Sequence, residues 1–140
     1  MSLNWSQRNV LATSLELLER SLDEIERLLD SPPAGLTYAI EVDFRPATAR
    51  QIRERCRDIR GEIAEIVTAF ELSQRRWDGR RMIDAEMSAA WSNLEELRLP
   101  GLRRYGAVDP ALTETLVPRL ERLINLVLAL RQLAFEREER

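Results

Sequence analysis

The run Arg75-Arg76-Trp77-Asp78-Gly79-Arg80-Arg81 sets four guanidinium groups around one indole, the sharpest cluster of reactive chemistry in the chain. A guanidinium offers phosphate a planar fork of donors and stacks on aromatic faces. Arg75, Arg76, Trp77, Arg80 and Arg81 are therefore the candidate residues of an anion or nucleic-acid site. The competing reading is a solvated turn in which Trp77 caps a core and the arginines answer helix ends and nearby acids. The formal net charge of −3 favours that second reading, since nucleic-acid binders commonly show a wider basic face.

Other chemistry is excluded by what the chain lacks. All 21 basic side chains are arginine, and there is no lysine or histidine. That removes the side chain that titrates near neutrality, the Ser-His and Cys-His pairs, and the Schiff-base and P-loop lysines. Glu16 with Glu19, and Glu62 with Glu65, have the i, i+3 spacing of carboxylate metal sites. The di-iron bundles need Glu-x-x-His on two helices, and these acids flank the apolar stripes instead of interrupting them. Cys56, the only cysteine, occupies an apolar helix position and reads as a small core hydrophobe. No catalytic residue, metal or cofactor is expected, and the chain reads as a non-enzyme.

The elements that carry these residues repeat one pattern. Apolar side chains recur in steps of three and four through Leu11, Leu15, Leu18, Leu22, Ile25 and Leu29, and again through Ile52, Cys56, Ile59, Ile63, Ile66 and Phe70. Ile83, Met87, Ala90, Leu94 and Leu97 form a third series, and Leu116, Leu120, Leu123, Val127, Leu130 and Ala134 a fourth. Each is the stripe of an amphipathic helix. The breakers fall between them: Ser31-Pro32-Pro33-Ala34-Gly35, Asp78-Gly79, Leu99-Pro100-Gly101 and Asp109-Pro110. The expectation is an all-α single domain over residues 1–140, with helices at roughly 5–30, 46–75, 79–98 and 110–138. Short links between long helices favour an up-and-down four-helix bundle. Its core would hold Leu18, Leu22, Ile59, Ile63, Ala90, Leu94, Leu123 and Val127 together. Pro118, inside the last helix, is expected to kink or split it.

Charge supports the first pairing. Acids follow the core positions of the first helix and arginines those of the second. An antiparallel pair would bring Asp30 near Arg50, Glu26 near Arg53 and Asp23 near Arg57. Between these helices, Tyr38, Ile40, Val42 and Phe44 share one face of an extended segment. A lone strand cannot satisfy its backbone, so this segment is expected to strap across the bundle and fill a groove, with pairing to a second chain as the alternative.

The last helix is apolar well beyond one stripe. Ile124, Leu126, Leu128, Leu133 and Phe135 have no neighbour in the four-helix scheme and form the candidate dimer interface. The functional expectation is a non-catalytic helical interaction module that self-associates as a homodimer and serves as a subunit, adaptor or regulatory partner of another protein. The alternative is an anion or nucleic-acid binder built on the arginine-rich tip. No apolar run reaches the ~20 residues of a membrane span. With one cysteine and no signal-peptide pattern, the expected location is the cytoplasm.

Overall fold

The chain is all-α, and the computed structural model describes residues 2–136. Among the described residues five helices follow in order: α1 (Trp5–Asp30), α2 (Pro46–Ala69), α3 (Gly79–Glu95), α4 (Leu99–Leu102) and α5 (Pro110–Phe135). A 3-10 turn, Arg103–Tyr105, follows α4 directly. The chain divides into two compact units, Met1–Arg75 and Arg76–Arg140.

Local chemistry accounts for the helix starts. Asn4 accepts from the Gln7 backbone while the Gln7 side chain accepts from the Asn4 backbone, a reciprocal capping box that opens α1. Pro46 occupies the first turn of α2, where its missing N–H has no helical partner to lose. Asp78 and Asp109 cap α3 and α5 by accepting from the backbones of Arg80 and Ala111. Helix α5 runs through Pro118 as one helix, so of the kink or split expected there the split does not occur.

The end of α2 is a correction. The helix stops at Ala69, six residues short of expectation. Glu71 adopts a left-handed backbone with φ of 52°. Its N–H reaches the Thr68 carbonyl, and the Leu72 N–H reaches that of Val67. Together these bonds form a Schellman closure. The Arg8 guanidinium adds to it by donating to the Phe70 carbonyl at 2.6 Å and the Glu71 carbonyl at 3.3 Å. The motif usually carries glycine at the left-handed position, so no residue type here announced the stop. Helix α3 likewise ends early, at Glu95, and the chain turns through α4. There a Cβ on Gly101 would overlap the Glu96 carbonyl oxygen, so only glycine fits.

In the first unit α1 and α2 lie antiparallel, as expected, but in a register displaced by about one turn. Asp30 pairs with Arg53 at 2.6 Å, and Arg60 reaches both Asp23 at 2.8 Å and Glu26 at 3.1 Å. The core is Leu22, Cys56 and Ile63, with Leu15, Ile52 and Val67 packed against it. Burial of Cys56 agrees with its reading as a core hydrophobe. In the second unit α3 and α5 run antiparallel around buried Leu120 and Ile124. Arg131 donates to Asp84 at 2.6 Å across this pair. Arg98, after α3, bonds Glu95 at 2.6 Å and also Glu121 of α5.

The expected single core is corrected in part. Leu22 and Ile63 are buried and Ala90, Leu94 and Val127 half-buried, but Leu18, Ile59 and Leu123 are exposed. The strap is corrected too. It forms a tight turn in which the Gly35 N–H bonds the Tyr38 carbonyl and the Ile40 N–H bonds that of Pro33. Tyr38, Ile40 and Phe44 are exposed, so they fill no groove; Val42 is half-buried.

Candidate functional site

The arginine-rich segment is not one compact cluster of equivalent groups. Arg75 closes the first unit, where it donates to the Thr13 hydroxyl at 2.5 Å and lies 3.9 Å from the Glu16 carboxylate. The second unit begins at Arg76. There Asp78 caps α3, and Arg80 donates to the carbonyls of Ala134 at 3.3 Å and Glu136 at 2.5 Å. Those carbonyls end α5, so Arg80 answers both orphan acceptors and the negative end of the helix dipole. Arg81 lies 3.9 Å from the Asp78 carboxylate. Trp77 is 55% exposed, so it presents its indole to solvent instead of sealing a core. A second exposed group, Arg103, Arg104 and Tyr105, occupies the 3-10 turn.

Among the described residues, no three His, Cys, Asp or Glu side chains converge where a metal ion could be held. Glu16 and Glu19 line an open groove of the first unit with a volume of 610 Å³. Its floor is Leu15, Ile63, Ala64, Val67 and Leu72, the last folded back by the closure of α2. The rim charges largely neutralise one another: Glu16 pairs with Arg20 at 3.4 Å, and Asp23 with Arg60. This groove escaped the sequence reading because residues 72–75 were expected to be helical.

The surface that stands out is α5. Its inward stripe is Val117, Leu120, Ile124, Val127 and Arg131, a four-three alternation that faces α3. Ile124 is only 2% exposed, so its assignment to a dimer interface is corrected: it is core. A second stripe remains uncovered, in which Leu123, Leu126, Leu130 and Leu133 are 45%, 54%, 47% and 59% exposed. These four lie on one line at heptad spacing, the pattern of a coiled-coil seam. The expected interface residues Leu126 and Leu133 fall on this seam. Leu128 and Phe135 are also exposed, but at 100° per residue they lie on the far side of the helix from it.

No family model, curated protein or solved structure matches this chain. No helix among the described residues is long and apolar enough to cross a membrane.

Proposed function

We propose that the protein is a non-catalytic helical interaction module that self-associates as a homodimer and serves as a subunit, adaptor or regulatory partner in the cytoplasm. The observation that carries this reading is the uncovered seam Leu123, Leu126, Leu130 and Leu133 on a helix whose other stripe already faces α3. Four leucines aligned at heptad spacing are a large apolar area to leave in water. A closed two-fold pair is the commonest way to bury such a face. The four-helix bundle is the intramolecular form of the same burial, and it is the competing arrangement that the test must separate.

The alternative, an anion or nucleic-acid binder using Arg75, Arg76, Trp77, Arg80 and Arg81, draws less support. Arg75 and Arg80 already serve the hydrogen bonding of their own units. Its support is the exposed indole of Trp77 beside Arg76.

Sedimentation equilibrium at micromolar concentration tests the leading reading, with a mass of twice 16.2 kDa expected. Leu126→Asp and Leu133→Asp should each give a monomer of unchanged helicity, because both side chains lie on the uncovered seam. A single species at monomer mass for the unmodified chain overturns the reading.

A further inference from the structure

If the seam pairs with a second copy, on which reading this inference rests, its charges decide the direction of pairing. The apolar line is uninterrupted from Leu123 to Leu133, but one heptad before Leu126 the same line carries Arg119. A parallel pair in register would set Arg119 against Arg119 of the second copy, between the layers of Leu116 and Leu123. Like charges so placed repel, and a guanidinium within the seam loses water without gaining a partner.

An antiparallel pair takes Arg119 out of the leucine layers. With the two-fold axis level with Leu128, Leu123 lies opposite Leu133 of the second copy, and Leu126 opposite Leu130. All four layers are then leucine on leucine, and Arg119 falls outside them. The residues flanking the seam on one side are Arg122, Ala129 and Glu136, all exposed. In antiparallel helices that flank meets its own counterpart. Ala129 then approaches Ala129 of the second copy near the axis, where a small side chain permits close contact. Arg122 meets Glu136 of the second copy, twice by symmetry. Arg80 holds the Glu136 carbonyl at 2.5 Å, which fixes the end of α5 where this pair requires it.

We infer that α5 forms an antiparallel homodimeric seam of Leu123, Leu126, Leu130 and Leu133, with its direction set by Arg122–Glu136 pairs between copies and by exclusion of Arg119.

Two measurements test the direction, on protein first shown by sedimentation to be dimeric. A monomer at that step overturns the self-association reading itself, and this inference with it. The first measurement places a spin label at Glu114→Cys in a Cys56→Ala background. Residue 114 is fourteen positions from the axis, so antiparallel pairing puts the labels about 42 Å or more apart at 1.5 Å per residue. A parallel pair has no axial offset and leaves them within about 30 Å. The second measurement needs no cysteine change. Arg122→Glu and Glu136→Arg should each weaken the dimer roughly tenfold, and combining them should restore it. A short label distance, or a double variant as weak as the singles, overturns the antiparallel seam while leaving the dimer intact.

Discussion

Glu71 shows how a single backbone angle sets what surrounds it. Its φ of 52° ends α2 and returns Leu72 to the groove against Val67. A side chain with a Cβ occupies the left-handed region at a cost of roughly 1–2 kcal/mol, which glycine does not incur. The motif persists because Arg8 donates to the Phe70 and Glu71 carbonyls and the hydrogen bonds of the closure are complete. Glu71→Gly should therefore raise the unfolding free energy by about 1 kcal/mol, read as a higher urea midpoint with unchanged slope. Glu71→Ala should leave it nearly unchanged, since it relieves no backbone strain. A decrease for the glycine variant would mean that the Glu71 side chain, not its backbone, holds the turn. This is also where the sequence was least legible. The helix starts at Pro46 and at Asp109-Pro110 could be read from residue type alone, because proline fixes its own backbone and aspartate accepts from the backbone beside it. A left-handed glutamate sends no such signal.

At the scale of the element, helix existence was legible and helix phase was not. Apolar periodicity located α1, α2, α3 and α5, but leucine on nearly every side of α5 leaves several rotations almost equally apolar. The observed rotation puts Arg131, a charge, into the interface with α3, where Asp84 receives it. A reading that looked for an unbroken apolar stripe would reject that rotation. It placed Leu123 and Leu130 in the core and Ile124 outside it, the reverse of what the structure shows. Polar anchors recur where α3 ends. Hydrogen bonding from Arg98 holds the Glu95 carboxyl below the usual carboxylate range. The folded chain thus binds this proton more weakly than the unfolded chain does. The stabilisation is present above the ordinary carboxylate pKa and is lost as pH falls through the lowered folded value. Glu95→Gln should therefore flatten the fall in thermal midpoint between about pH 5 and about pH 2. The effect should be small, since exposed pairs are screened by water. An unchanged acid limb would show that Glu95 contributes nothing to it.

For the whole molecule the deciding quantity is the apolar area that each unit removes from water. Among the described residues, Leu22, Cys56, Ile63, Leu120 and Ile124 are the buried hydrophobic ones, a small core. The hydrophobic contribution scales with apolar area removed from water, so such a core stabilises the chain weakly unless more surface is covered. Covering it by a second copy has a thermodynamic signature that covering it within one chain lacks. When folding is coupled to dimerisation, the unfolded chains are released as two particles and mass action favours the folded dimer at high concentration. With an unfolding enthalpy of about 0.7 kcal/mol per residue for two chains, the thermal midpoint should rise about 2–3 °C for each tenfold increase in protein concentration. Leu126→Asp, which charges the centre of the seam, should abolish that dependence and lower the midpoint at high concentration. A midpoint independent of concentration over two decades, in the unmodified chain, would mean that the exposed leucines are covered from within or not covered at all. Measuring the fluorescence of a dye that binds apolar surface separates these two cases, since only uncovered leucines would bind it in the native state.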